Sequence, residues 1–376
     1  MDNILLSAAL AFLITFFAIP VIIQVAKDKK LFDEPDERKV HKTVIPTLGG
    51  LGIFAGFIIA TLMGVPSGIT SELQYFAAAA TVIFFLGIKD DIMILSASKK
   101  FIGQLIAAGI IIKFGGVQIT NMHGFLNIYE IPHIASILLS IFTIIVITNS
   151  FNLIDGVDGL AGSLGMMTTL VFGVYFFYAG QLTYAVMAFA LAGSTFGFLI
   201  YNFSPAKIFM GDTGSLLLGL VNSILVIKFI NVAGNPASNF PVDAAPAIGF
   251  SILMIPLFDT LRVFSLRILD RRSPFSPDRT HIHHFLLDLG LSHRRVTLTC
   301  VALNIGFIVM AFFLRHTGTT TVLGILLLSA FIFIGAIYYS RPKPKVLAAD
   351  KEIPNTVISK SHKILKLASP EPVEAE

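Results

Sequence analysis

The sequence predicts an all-α, polytopic integral membrane protein with about eleven transmembrane helices, its N-terminus outside and its polar working groups on the cytoplasmic face. Three observations carry this. Of 376 residues, 55% are hydrophobic and 13% charged, with a mean hydropathy of +0.81, against roughly 25% charged residues in soluble domains. Apolar segments recur at close to the ~20 residues that cross ~30 Å of hydrocarbon. The lysines and arginines gather on alternate connections, as short cytoplasmic loops require.

In order, the apolar segments are 3–26, 47–65, 73–88, 101–115, 134–151, 160–179, 183–201, 215–232, 245–268, 297–314 and 319–339. The first runs into Lys27, Lys29 and Lys30 without a small-residue cleavage site, so it reads as a retained helix. With the N-terminus outside, the connections near 27–46, 89–100, 152–159, 202–214 and 269–296 face the cytoplasm, as does everything after Ser340. That arrangement places 24 of the 27 cations, counted with about two flanking helical turns, on one side; Lys113, Lys228 and Arg315 are the exceptions. An even number of spans would break the agreement. Residues 1–340 therefore form the membrane domain. The tail 341–376 mixes Pro, Lys and acids without an apolar face and is expected to be a disordered cytoplasmic extension.

Some classes are excluded at once. The basic excess follows from topology and no nucleic-acid motif accompanies it, and the single Cys300 excludes a disulfide within the monomer. There is no tryptophan, so an interfacial belt must use Tyr and Phe. No internal repeat of the transporter kind is visible.

Against this apolar background the polar clusters stand out, and all fall at cytoplasmic ends of spans: Asp90 and Asp91 in "GIKDDIM", Asp155 and Asp158 in "NLIDGVDGLAG", Lys207 and Asp212 in "SPAKIFMGDTGS", and "SPDRTHIHHF" at 276–285. Each has a plain structural alternative. An aspartate pair at a helix end can be a cap or a solvated boundary, and "IDGVDG" can be two capping turns. "GDTGS" before an apolar helix can be an N-cap by Thr213 or Ser215, or a glycine-lined helix start that admits a phosphate oxygen. His281, His283 and His284, with Asp278 and Arg279 before them, could hold zinc, but the absence of a nearby cysteine and the adjacent arginine suit a diphosphate better. Asp259 and Arg262, three apart within "PLFDTLR", are expected to pair inside the membrane. Carboxylates for a hard divalent cation, donors for phosphate oxygens and a glycine-rich helix start on one face together point to a soluble diphosphate meeting a lipid.

As a set and in order, "DEPDERKVHKTVIPTLGG", "GIKDD", "NLIDGVDGLAG", "FMGDTGSLLLG" and "SPFSPDRTHIHHFLLDLG" resemble the motifs of the polyprenyl-phosphate N-acetylhexosamine-1-phosphate transferases, the MraY/WecA family, over roughly residues 1–315, and look like its WecA/TagO branch. The resemblance implies an enzyme of the bacterial inner membrane that transfers a sugar 1-phosphate from a UDP-sugar to undecaprenyl phosphate, releasing UMP and making the first lipid-linked intermediate of a cell-envelope polysaccharide. It implies Mg²⁺, with Mn²⁺ as a substitute, held at Asn152 and Asp212, and catalytic roles for Asp90, Asp91 and Lys100. Asp155, Asp158, Arg279, His281, His283 and His284 would bind substrate, and a homodimer is compatible with the family.

The "HIHH" form, in which Ile282 interrupts the histidines, resembles the branch that uses UDP-N-acetylglucosamine, whereas the muramyl-pentapeptide branch carries consecutive histidines. Another UDP-N-acetylhexosamine is the alternative donor. A nucleotide-sugar transporter is the alternative class, but its site would lie near the bilayer midplane. Either direct displacement by the lipid phosphate or a covalent phosphoryl-enzyme would fit the carboxylates. The lipid monoester, with a second pKa of about 6, is already largely dianionic at neutral pH, which favours direct displacement.

Overall fold

In hydrocarbon every backbone N–H and C=O must be satisfied within the chain, so long apolar runs fold as helices. The computed structural model describes residues 2–29, 32–33, 45–66, 72–271 and 280–341. Among them run α1 (Asp2–Asp28), β1 (Phe32–Asp33), β2 (Ile45–Pro46), α2 (Gly49–Gly64), α3 (Leu73–Ile92), α4 (Ala97–Lys113), β3 (Asn121–Phe125), β4 (Ile128–Glu130), α5 (His133–Ile154), α6 (Leu160–Tyr178) and α7 (Leu182–Asn202). The chain continues through α8 (Gly211–Ala233), α9 (Ala245–Ile252), α10 (Met254–Leu269), α11 (Ile282–Asp288), α12 (His293–Leu314) and α13 (Thr319–Ser340). The strands form two short antiparallel pairs, β1 with β2 and β3 with β4.

Every one of the eleven apolar segments carries helix. Seven helices, α1, α5, α6, α7, α8, α12 and α13, are long and apolar enough to cross a membrane, and α9 with α10 makes an eighth if the bent pair is one span. The protein is thus an all-helical, multi-pass membrane protein. Helix α2 is apolar but only 16 residues long, α3 carries Lys89, Asp90 and Asp91 at its end, and α4 carries Lys99 and Lys100 at its start and Lys113 at its end. The tail from Pro342 and the expected substrate contact Arg279 lie outside the described residues.

Helix α8 is the central post. Leu216 to Phe229 are buried apart from partly exposed Lys228, and α2, α3, α5, α6 and α9 pack around it. Lys228, an exception to the charge rule, lies 4.7 Å from the centre of the Tyr184 ring, and the Tyr184 hydroxyl donates to Glu72 at 2.6 Å. A cation on an aromatic face is tolerable at depth because the ring quadrupole replaces part of its hydration.

The segment 245–268 reads as one continuous span, but the structure breaks it. Helices α9 and α10 meet at Leu253 with a bend of 85°. Hydropathy cannot register such a break, because both halves are apolar; what sets it is hydrogen bonding. Fully buried Asn304 of α12 accepts from the Ile255 N–H at 2.9 Å and donates to the carbonyls of Ile252 at 2.9 Å and Ser251 at 3.4 Å. Pro256 falls in the first turn of α10, where a missing N–H is harmless.

Asn304→Leu should leave the Ile255 N–H and the Ile252 carbonyl unpaired in an apolar interior, at about 1–3 kcal/mol per group. The expected result is a thermal unfolding midpoint several degrees lower for the purified protein in detergent. An unchanged midpoint would show that the bend does not depend on this amide.

Candidate active site

The site grows from the first turn of α8. A helix start exposes backbone N–H groups without intrahelical partners, and here the partner comes from another helix. Asp91, at the end of α3, accepts from the Asp212 N–H at 2.6 Å, the Thr213 N–H at 3.1 Å and the Thr213 hydroxyl at 2.5 Å. The three segments can meet because two crossing points are glycine: a Cβ at Gly87 would lie 2.4 Å from Thr213 Cα, and one at Gly50 would lie 2.2 Å from the Gly214 nitrogen. Gly211 turns the chain into α8 with φ +70°, and a Cβ there would meet the Thr47 carbonyl at 2.2 Å.

Capping by Asp91 leaves the Asp212 side chain free to face α4 and α5. Its Oδ2 lies 2.7 Å from Lys100 Nζ, and its Oδ1 accepts from Asn152 Nδ2 at 3.0 Å. Lys100 Nζ also lies 2.5 Å from Asp90 Oδ2, while Asp90 Oδ1 accepts from the Leu95 N–H at 2.6 Å. The neighbouring aspartates of "KDD" thus separate in role. Asp90 reaches into the polar cluster, and Asp91 is consumed by the backbone of α8. Asn152 donates a second bond to Ser215 Oγ at 3.0 Å.

The "IDGVDG" turn between α5 and α6 closes one side. Burial, and then the carboxylates of Asp212, Asp91 and Asp158, push the Asp155 carboxyl up to about 8. Asp158 is tied down elsewhere: its carboxylate accepts from the Ala206 N–H at 3.1 Å and lies 3.3 Å from His293 Nδ1. Asn202 braces the same turn, accepting from the Gly159 N–H at 2.9 Å and donating to the Ile208 carbonyl at 2.8 Å.

The histidine segment packs on this turn. A Cβ at Gly156 would lie 2.6 Å from His283 Nε2, so glycine there admits the imidazole. Burial, and then the adjacent His284, push His283 down to about 3, so it is a neutral ring at physiological pH; among the described residues its Nδ1 has no hydrogen-bond partner. The His283 and His284 ring centres are 4.3 Å apart. Asp259 on α10 holds the segment: its carboxylate pairs with Arg262 at 2.9 Å and with His281 Nδ1 at 2.8 Å and accepts from the Ile282 N–H at 3.0 Å. The expected Asp259–Arg262 pair is therefore present, and it serves as the bracket for the first turn of α11. Arg262 also donates to the Thr280 carbonyl.

Among the described residues no three His, Cys, Asp or Glu side chains converge to hold a metal by themselves. The oxygen donors still suit one cation class. Asp212 offers a carboxylate, and among the described residues the Asn152 amide oxygen and the Asp155 carboxyl accept no hydrogen bond, with Lys100 the one lysine in the cluster. Mg²⁺ prefers oxygen and usually takes one or two carboxylates, completing its octahedron with water and substrate phosphates.

The fold and the cluster together define a multi-pass, all-helical membrane protein that gathers aspartate, asparagine and lysine side chains at one end of its central post. The sequence profile of glycosyl transferase family 4 matches residues 73–230, which run from α3 to α8 and include every member of that cluster. A protein of Bacillus subtilis (strain 168) named probable undecaprenyl-phosphate N-acetylglucosaminyl 1-phosphate transferase is 35% identical over 322 residues, covering 84% of this chain and 87% of its own. A decaprenyl-phosphate N-acetylglucosaminephosphotransferase of Mycobacterium leprae (strain TN) is 34% identical over 77% of this chain and 78% of its own. The undecaprenyl-phosphate alpha-N-acetylglucosaminyl 1-phosphate transferase of Escherichia coli (strain K12) is 28% identical over 86% and 88%. The chain belongs to glycosyl transferase family 4.

Residues that sequence reasoning missed are Asn202 and Asn304 in their bracing roles and Gly50 and Gly87 at the crossings; Thr213, read as a possible cap, instead donates its hydroxyl to Asp91. The available signal was an amide inside an apolar run, which is costly in hydrocarbon without a partner.

Two expectations follow. Asp91→Asn turns an acceptor into a donor facing the Asp212 and Thr213 N–H groups, so it should lower the unfolding midpoint, in line with a lost cap of about 1 kcal/mol, as well as activity. Asp90→Asn leaves Lys100 its Asp212 partner and should lower turnover by roughly a hundredfold with the midpoint nearly unchanged. The reverse pattern, a stable Asp91→Asn and an unstable Asp90→Asn, would reject the division of roles.

Because the Asp155 carboxyl sits above its unfolded value near 4, the folded protein holds a proton that the unfolded chain gives up. Its destabilising contribution therefore grows as pH rises from about 4 to about 8 and is level above that. In Mg²⁺-free buffer, Asp155→Asn should raise the unfolding midpoint, by more at pH 8 than at pH 5. Parallel midpoint curves across that range would contradict it.

Proposed function

We propose that the protein transfers N-acetylglucosamine 1-phosphate from UDP-N-acetylglucosamine to undecaprenyl phosphate, releasing UMP. The observation that carries this is the cluster of Asp90, Lys100, Asn152 and Asp212 at the capped end of α8, within the family-matched segment of a multi-pass membrane protein. Relatives named for polyprenyl-phosphate N-acetylglucosamine phosphotransfer support the lipid acceptor and the sugar.

An oxygen of the lipid phosphate attacks the β-phosphorus of the nucleotide sugar. The bond from that phosphorus to the bridging oxygen breaks, and UMP leaves with the bridging oxygen and its electron pair. Lys100, between two carboxylates, is placed to donate to phosphoryl oxygens as charge builds. Asp90 orients the lipid phosphate, and takes its remaining proton when the monoanion binds. Bound to Asp212, with Asn152 and Asp155 beside it, Mg²⁺ or Mn²⁺ would neutralise diphosphate oxygens and favour departure of UMP. His281, His283 and His284 cover the nucleotide-sugar side, with Asp158 bracing the turn beneath them and Arg279 as an added phosphate donor.

This reading places eleven spans in the bacterial inner membrane with the N-terminus outside and the α8 cluster in the cytoplasm, where UDP-sugars are found. The charge distribution of the connections supports it. A homodimer is compatible with it.

The test is a competition assay of purified enzyme with undecaprenyl phosphate and Mg²⁺, comparing UDP-N-acetylglucosamine, UDP-N-acetylgalactosamine and the UDP-muramyl-pentapeptide. UDP-N-acetylglucosamine should give UMP and a lipid-linked product, and chelating the metal should abolish both. Product from either competitor alone would reject the donor and retain the chemistry; no UMP from any donor would reject the chemistry.

A further inference from the structure

Helices α6, α7 and α12 leave between them an apolar groove of about 720 Å³, walled by residues such as Met166, Leu170, Phe196, Ile200, Val301 and Ile305. Its hydroxyls are Ser163 and Thr297, and Thr297 already donates to the Asp158 carbonyl at 2.9 Å. A sugar or nucleotide would find almost nothing to bond here. The groove opens to the surroundings, since Phe196, Leu298 and Ile305 are each about half exposed. It continues into a second apolar cavity of about 290 Å³, with which it shares Val171 and Ile308.

The groove has a charged head. Arg294 is exposed, one helical turn before Thr297 and Leu298, and its guanidinium lies 5.4 Å from the ring centre of Phe203, itself a wall of the groove. Exposed Lys207 follows Ala206, whose N–H is held by Asp158 at the same end. Along α12, Thr297 and Ile308 are eleven positions apart, about 16 Å of helix, which matches one leaflet of a ~30 Å hydrocarbon core. A guanidinium at the mouth of an apolar slot one leaflet long, with a second exposed cation on the adjoining turn, is complementary to an anionic headgroup on an acyl chain.

We propose that this groove is a binding site for an anionic phospholipid of the surrounding bilayer, with its phosphate on Arg294 and Lys207 and one acyl chain along α12. The site is separate from the transfer centre. Its walls contribute none of Asp90, Asp91, Lys100, Asn152 or Asp212, which come from α3, α4, α5 and α8. The inference goes beyond the proposed function and stands whichever donor sugar is used.

The chain contains no tryptophan, so Ile305→Trp places a single fluorophore in the groove. In phosphatidylcholine vesicles, brominated phosphatidylglycerol should reach half-quenching at a mole fraction several-fold below that of brominated phosphatidylcholine. Adding Arg294→Gln should raise that fraction at least threefold. Superimposable curves for the two lipids, or no effect of Arg294→Gln, would overturn the proposal. So would recovery of fluorescence on adding undecaprenyl phosphate but not on adding unbrominated phosphatidylglycerol, which would give the groove to the lipid substrate. Absence of quenching by either lipid would give it to a second copy of the chain. Phe196→Trp, on the opposite wall, is the second reporter if the first variant fails to fold.

Discussion

The whole site depends on how the first turn of α8 is capped. A helix that begins against a polar face in the middle of an apolar bundle has unpaired N–H groups and a positive dipole end, and Asp91 answers both from a different helix. That bond requires α3 and α8 to approach until backbone touches side-chain space, which explains glycine at position 87, and it requires α2 to pass close by, which explains glycine at position 50. Once the cap is made, Asp212 has no choice but to look outward toward Lys100 and Asn152. One carboxylate is spent on architecture so that a second can be presented to chemistry.

Charge balance explains the rest. Asp90, Asp91 and Asp212 gather around one lysine and one helix start, and the excess of carboxylates is large enough that the neighbouring Asp155 keeps its proton. A divalent cation would offset that excess, and only with it in place could the phosphate oxygens of a diphosphate come close. The opposite wall is built the other way: Asp259 saturates itself with Arg262, His281 and a backbone N–H, so the histidine segment is held by a closed network and His283 stays neutral. An acidic cluster that invites a cation thus lies beside a histidine segment whose charges are already matched by Asp259 and Arg262.

Much of this was legible in the sequence. Apolar runs marked where helices form, because hydrocarbon forbids any alternative, and the clustered Asp, Lys and His groups stood out because polar residues are rare in such a chain. What could not be read was pairing at a distance. Nothing local to "KDD" distinguishes Asp90 from Asp91; the difference is made by Thr213, 122 positions away. Likewise 245–268 and a straight helix look alike to any hydropathy measure, and "YNF" gives no hint that Asn202 supports the Gly159 turn. The two amides were visible only as anomalies, each a polar group in an apolar run that needed a partner.

The bend between α9 and α10 also constrains the order in which the chain can be assembled. The amide that satisfies the broken turn belongs to Asn304, 52 residues downstream of Ile252. While the chain is being made, residues 245–258 emerge as an apolar stretch that runs straight through the later bend, and a straight helix is the form that satisfies its own backbone in lipid. Only when α12 has entered beside it does the bent form acquire its hydrogen bonds. The break between α9 and α10 is therefore completed only when most of the chain is already in the membrane.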